Sequence, residues 1–96
     1  MRYFHRTALP PDQVLEEADQ FLGGRLETSE RAARARVYQG SIGVIRVTVR
    51  AEGGHYTLIT ASTDQVGESE ADKLTKRFLG RVHQRHEPHY ELRGAY

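Results

Sequence analysis

The chain has 96 residues and a formal net charge of +1, which gives room for one small domain and excludes a second domain within this length. Leu, Ile, Val and Phe account for 21 residues, about 22% of the chain, so we expect a folded domain with a small core. The absence of cysteine excludes disulfides, thiolate metal sites and thiol catalysis, and no apolar run approaches the length of a membrane span. We therefore expect a cytoplasmic domain without a cofactor.

The small net charge hides segments of alternating sign. Counting Lys and Arg against Asp and Glu, the charge is −2 over residues 1–24, +4 over 25–51, −5 over 52–72 and +4 over 73–96. This alternation predicts a surface divided into acidic and basic areas, which could join two copies of the chain. The position of the charges is therefore more informative than their total.

An aromatic strand and an acidic helix are predicted first. Residues 2–6 are short and aromatic enough for a strand, and the proline pair 10–11 ends it where a helix can begin. From Asp12 onward, apolar residues recur every three or four positions, which predicts an amphipathic helix that ends at the glycine pair 23–24. Its buried stripe consists of Val14, Leu15, Ala18, Phe21 and Leu22.

Three antiparallel strands are predicted between the two helices. Residues 25–32 are polar and indicate a connector. Residues 33–39 have high helix propensity at their start but alternate like a strand, and we favour the strand. The β-branched residues 44–51 and the strand 55–61 are joined by the glycine pair 53–54, a typical signal of a two-residue hairpin loop.

The lengths of the loops predict how these strands align. A two-residue loop at 53–54 and a three-residue loop at 40–42 keep apolar residues opposite apolar residues on one face of the sheet. The pairs are Val49 with Leu58, Val37 with Ile45, and Ala35 with Val47. The same alignment predicts that Arg36 lies opposite Arg46 on the other face.

A second helix is predicted from Ser69, whose hydroxyl can cap it, to about His86, because Pro88 ends it. Its buried stripe consists of Ala71, Leu74, Phe78 and Val82. The order of strand, helix, three antiparallel strands and helix predicts an α+β domain over residues 1–88, with both helices on one face of the sheet. Residues 89–96 are predicted to form a C-terminal tail.

Five residues are predicted to share the sheet face that the helices leave uncovered: Arg34, Arg36, Tyr38, Arg46 and Arg50. Like charges directly opposed across two strands destabilise a sheet, and one interpretation is that the arginines contact phosphates or an acidic partner, although we favour a solvated face. The alternative is a solvated face that Glu27, Glu30 or Glu52 neutralises. A helix at residues 33–36 would remove two of the arginines from this face.

A basic row recurs every four residues along the second helix: Lys73, Arg77, Arg81 and Arg85. Such a row can follow the backbone of a nucleic acid. The alternative, which we favour, is neutralisation inside the molecule, because Asp12, Glu16 or Asp19 of the acidic first helix can face the row.

Histidines recur at three-residue spacing near the end of the second helix, and His83 and His86 are the candidate metal ligands. Pro88 separates His89 from the helix, and histidines at a helix end more often cap the last carbonyl groups. We therefore predict no metal site. The sequence contains no nucleophile elbow and no phosphate-binding loop, so no enzyme activity is predicted either.

Together these patterns predict a small non-enzymatic binding or assembly domain, expected to form a homodimer across the uncovered sheet face or along an edge strand. One alternative is a nucleic-acid-binding domain that uses the basic sheet face and the second helix. Another is capture of a small apolar ligand between the second helix and the sheet, by Tyr56, Leu58 and Phe78. No membrane partner is expected.

Overall fold

A computed structural model describes residues 1–86, so the predicted tail lies outside the described residues. The elements are β1 (Arg2–Thr7), α1 (Pro11–Phe21), β2 (Glu27–Ala32), β3 (Ala35–Gly40), β4 (Gly43–Glu52), β5 (Tyr56–Thr63) and α2 (Glu70–His86). The strands form one antiparallel sheet in the order β1-β5-β4-β3-β2. The predicted α+β class and the order of the predicted elements are confirmed.

The structure adds one strand, β2, to the three strands that the sequence predicts between the helices. Residues 25–32 are predicted to be a connector, and this is wrong for Glu27–Ala32. Among residues 1–86, β2 is an edge strand that pairs only with β3, and its mostly exposed side chains show no apolar alternation. The register shifts between Thr28 and Glu30, which leaves Ser29 outside the regular ladder. The sheet therefore ends on this side in a bulged, polar strand.

Both helices pack on the same face of the sheet, and the core lies between the helices and the strands. The predicted buried stripes of α1 and α2 are all at most 8% exposed, so both predictions are confirmed. The core residues of the sheet are Tyr38, Ile45, Val47, Val49, Ile59 and Ala61. Because side chains alternate along a strand, these residues identify the helix face of the sheet and define the opposite face.

The β4–β5 hairpin differs by one residue from the predicted alignment. Its loop has three residues, 53–55, and its two glycines have positive φ angles of 64° and 76°. Val49 therefore pairs with Ile59 and not with Leu58. A shift by one residue exchanges the two faces of a strand, so Ile59 is buried in the core while Leu58 lies on the opposite face.

The β3–β4 hairpin also differs by one residue, in the opposite direction. Gly40 pairs with Gly43, whose φ is 126°, so the loop has two residues where three are predicted. Arg36 consequently pairs with Val47, and the predicted pair of Arg36 with Arg46 is wrong. The shift turns Arg36 and Tyr38 toward the helix face.

Local predictions at the ends of two elements are confirmed. The strand favoured over a helix near residue 35 begins at Ala35, after a two-residue turn. Ser69 Oγ accepts a hydrogen bond from the backbone N–H of Asp72 at 3.1 Å, as expected of a helix cap. The buried carboxylate of Asp72 also accepts a hydrogen bond from the Tyr3 hydroxyl and lies 3.2 Å from Lys76 Nζ. These contacts join β1 to the first turn of α2.

Candidate functional site

Within residues 1–86, no helix covers the second face of the sheet, which we call the open face. Its side chains alternate with those that point toward the helices, and on β1, β5 and β4 all of them are exposed or half-buried. On these three strands the open face consists of Arg2, Phe4, Arg6, Tyr56, Leu58, Thr60, Ser62, Val44, Arg46, Thr48, Arg50 and Glu52. Arginines and uncharged residues alternate along β1 and β4.

The strand pairing aligns these residues in rows that cross the sheet. The first arginine row is Arg2, Ser62 and Arg46; the central row is Phe4, Thr60, Thr48 and Ala35; the second arginine row is Arg6, Leu58 and Arg50. Neighbouring rows are two residues apart along a strand, or about 7 Å. The open face therefore has two basic rows with an uncharged row between them.

The second arginine row is partly neutralised by Glu52. Arg6 Nε donates to Glu52 Oε1 at 2.6 Å, and Arg50 Nη2 lies 3.6 Å from Glu52 Oε2. The hydrogen bond from Arg6 is the main cause that lowers the pKa of Glu52, which favours its ionised form. In the described part of the chain, Arg2 and Arg46 form no ion pair. Four guanidinium groups thus share one carboxylate on these three strands.

Phe4 is the exposed aromatic residue of the central row. Its side chain is 62% exposed, although neighbouring residues of β1 pack toward α2. It lies between Arg2 and Arg6 along the strand and opposite Thr60 of β5. A flat apolar ring at this position can stack on another planar ring, and the threonine hydroxyls beside it can donate and accept hydrogen bonds.

The predicted basic face is only partly correct. Arg46 and Arg50 lie on the open face, but Arg36 and Tyr38 lie on the helix face, because of the shift in the β3–β4 hairpin. Tyr38 is fully buried and donates from its hydroxyl to Asp19 Oδ1 at 2.7 Å. Burial, and then this hydrogen bond to Asp19, raise the pKa of Tyr38. Tyr38 is therefore a core residue that anchors α1 to the sheet.

The arginines at the β2–β3 turn also point toward α1. Arg36 Nε lies 3.2 Å from Asp19 Oδ1, and Arg31 Nη2 lies 3.4 Å from Asp19 Oδ2. Arg34, which was predicted on the open face, lies 3.3 Å from Asp12 Oδ1 of α1. These ion pairs fasten the β2–β3 hairpin to α1, so this group of arginines is matched by carboxylates.

The sequence analysis does not identify the residues of β1 that lie on the open face: Arg2, Phe4 and Arg6. Their alternation with Tyr3 and His5 indicates that they share one face of a strand. The neighbour of that strand, however, is β5, which lies more than fifty residues away in the chain. Nothing local to residues 2–6 shows that they complete the rows begun by Arg46 and Arg50.

The basic row of α2 is largely matched by carboxylates. Arg81 Nε lies 2.9 Å from Glu17 Oε2, and Arg85 Nη2 lies 2.9 Å from Glu16 Oε1. Lys73 forms a longer ion pair of 3.9 Å with Glu70 in its own helix, and Arg77 forms none within residues 1–86. The predicted neutralisation of this row by carboxylates of α1 is found at Glu16. The second carboxylate is Glu17, and not Asp12 or Asp19, the other two residues that the sequence suggests.

The residues predicted to hold an apolar ligand do not line one pocket. Phe78 is fully buried under the sheet, and Leu58 lies on the open face. A cavity of about 760 Å³ lies instead between α1 and the β2–β3 turn. Its lining is mixed in charge and consists of Asp12, Leu15, Glu16, Asp19, Gln20, Ala32, Ala33, Arg34 and Arg36. Four of these lining residues form ion pairs with one another, Arg34 with Asp12 and Arg36 with Asp19.

The candidate metal ligands do not form a cluster in the described residues. His83 lies edge-on to His5 of β1, with 6.1 Å between the ring centroids. His86 is the last described residue of α2, and His89 lies outside the described residues. In residues 1–86, no group of three or more His, Cys, Asp or Glu side chains is arranged to hold a metal ion.

The open face is thus the surface on which unmatched arginines and an exposed aromatic ring come together. Neither described helix has the length and apolarity needed to span a bilayer. Comparison with protein families, with characterised proteins and with solved structures finds no match to this chain.

Proposed function

We propose that this protein is a non-enzymatic domain that binds nucleic acid through the open face. The observation that carries the proposal is the grouping of four arginines around an exposed Phe4 with one carboxylate among them. On the helix face, by contrast, the arginines of the β2–β3 hairpin and of α2 mostly contact Asp or Glu. On β1, β5 and β4 the open face therefore has four positive charges and one negative charge, while Glu27 and Glu30 lie on the same face at the β2 edge of the sheet.

Phosphates are the natural partners of this surface. Arginine presents a planar fork of N–H donors that matches a phosphate, and each contact releases counterions from the nucleic acid. The open face offers few such contacts, so we expect weak binding, with a dissociation constant of about 1–100 μM at physiological salt. Binding of this kind depends strongly on salt concentration, which separates it from an interaction driven by apolar contacts alone.

The test compares two arginines that differ in position but not in charge. A fluorescent oligonucleotide is titrated with the protein at about 20 mM salt and at higher salt, and its anisotropy is measured. We expect Arg46→Glu to weaken binding by about tenfold or more and to reduce the dependence on salt. Arg34→Glu is the matched control, because Arg34 lies on the helix side and its ion pair with Asp12 is highly exposed.

The control variant is expected to bind within about twofold of the unmodified protein, because its lost ion pair contributes little to the fold. Equal weakening by the two variants would show that only total charge matters. That result, or no binding by the unmodified protein at low salt, would overturn the proposal. Circular dichroism spectra of both variants establish that each remains folded.

Self-association through the same face is the second candidate. It is favoured by the exposed Phe4 and by Glu27 and Glu30 of β2, which could meet arginines of a second copy. Four arginines in each copy oppose it, because most face-to-face arrangements bring some of them together. Sedimentation at micromolar concentrations distinguishes the candidates: a dimer that Phe4→Glu dissociates would favour assembly, and a monomer would leave the open face free for nucleic acid.

A further inference from the structure

We infer that the nucleic acid is single-stranded and crosses the sheet along the central row, with a base stacked on Phe4 and phosphates at one of the two arginine rows. This inference rests on the proposed function and adds the class of nucleic acid and its path. It follows from the order of the rows, from the width of the sheet and from the exposure of Phe4.

The rows alternate in the way that a single strand requires. The two arginine rows are four residues apart along the strands, which is about 13 Å, and the uncharged central row lies midway. A single strand has a charged backbone on one side and planar, uncharged bases on the other. With its bases over the central row, the strand places its phosphates beside one of the two arginine rows, within reach of the flexible arginine side chains.

A duplex does not fit this surface as well. The major groove is about 12 Å wide and admits a helix or a two-stranded ribbon. Five strands at about 4.8 Å spacing span roughly 19 Å, so the sheet cannot enter the groove, and a duplex could touch it only through its backbone. Phe4 would then have no base to contact, because the bases of a duplex are stacked inside it.

Phe4 offers a stacking contact that the unpaired bases of a single strand can use and the bases of a duplex cannot. Its ring is 62% exposed and lies at the β1 end of the central row, with Thr60 beside it on β5. Stacking of a base on an aromatic side chain tolerates every base, since all bases have a flat face. The hydroxyls of Thr60 and Thr48 can donate or accept, so they also fit more than one base. We therefore expect little preference for sequence.

The experiment measures the binding of three fluorescent probes by anisotropy: an oligouridine, an oligothymidine of the same length, and a duplex. We expect both single strands to bind, and the duplex to bind at least about tenfold more weakly. Phe4→Ala should weaken the binding of single strands by about tenfold, leave the binding of the duplex unchanged and leave the dependence on salt unchanged. Phe4→Leu, which keeps an apolar side chain without a ring, should weaken it nearly as much.

Tyr56→Ala is the matched control, because Tyr56 is also an aromatic residue of the open face and is 54% exposed, but it lies opposite Glu52, outside the central row and beyond the second arginine row. Its effect should stay within about twofold. Equal binding of duplex and single strands, or no effect of Phe4→Ala, would overturn the inference while leaving the proposed function intact, provided that Arg46→Glu still weakens binding. If the unmodified protein bound none of the three probes, both the inference and the proposed function would be overturned.

Discussion

Replacing Tyr38 with Phe removes one hydroxyl from the core and preserves the shape of the side chain. The ring is fully buried, and its hydroxyl donates to Asp19 Oδ1 at 2.7 Å. A hydrogen bond to a charged group contributes about 1.5–3 kcal/mol to stability. Asp19 keeps Arg31 and Arg36 as partners in the variant, so we expect the free energy of unfolding to fall by about 1.5 kcal/mol, the lower end of this range.

Urea and thermal unfolding, followed by far-UV circular dichroism, measure this loss. In a domain of this size, about 1.5 kcal/mol corresponds to a decrease in Tm of about 6–10 °C. Tyr56→Phe makes the same chemical change at an exposed ring and should stay within about 0.5 kcal/mol of the unmodified protein. If the two variants were equally stable, the Tyr38 hydroxyl would not face Asp19, and the alignment of β3 would be wrong.

The same variant has a second signature at alkaline pH. Burial and the hydrogen bond to Asp19 raise the pKa of Tyr38 above its ordinary value of 10.0. Because only the unfolded state ionises readily, this stabilisation is fully present below pH 10.0 and is lost as the pH rises above it. Tyr38→Phe cannot ionise, so its free energy of unfolding should fall less steeply above pH 10.0. Equal slopes would contradict the buried position of the hydroxyl.

Two further predictions concern the attachment of α2. Phe78→Ala empties a fully buried site and should cost about 3–5 kcal/mol, measured by urea unfolding; a loss below about 1 kcal/mol would contradict the packing of α2 on the sheet. The hydrogen bond from Tyr3, assisted by Lys76, lowers the pKa of Asp72 below its ordinary value of 3.8. The stabilisation is present above pH 3.8 and is lost as the pH falls through the lowered pKa, so Asp72→Asn should show a weaker dependence of stability on acid than the unmodified protein.

The elements with strong apolar periodicity could be predicted from the sequence. α1, α2 and β4 each bury one regular face, and that face appears in the spacing of their residues. β2 could not be predicted, because an edge strand that buries little needs no apolar alternation. Its position is determined by backbone hydrogen bonds with β3, and these bonds do not require a particular pattern of side chains in the sequence.

The candidate site depends on two features that local sequence does not determine. Positive φ angles at Gly53, Gly54 and Gly43 permit loops whose lengths differ by one residue from those predicted, and each difference exchanges the faces of a strand. Arg46 and Arg50 could be predicted because they alternate with Ile45, Val47 and Val49, which are buried on the other side of the strand. Arg2 and Arg6 could not be assigned to the same surface, since that requires the long-range pairing of β1 with β5.

The irregular strand β2 affects how the protein behaves when it is concentrated. An edge strand offers unpaired backbone groups on which another molecule could add a strand, and repeated addition produces fibres. In β2, Ser29 interrupts the regular spacing while its hydroxyl donates to the carbonyl of Val37 at 3.3 Å, and Glu30 and Arg31 add charges of both signs. A β2 without the bulge and with an apolar face would be easier to recognise in the sequence, but it would also make the protein more prone to aggregate.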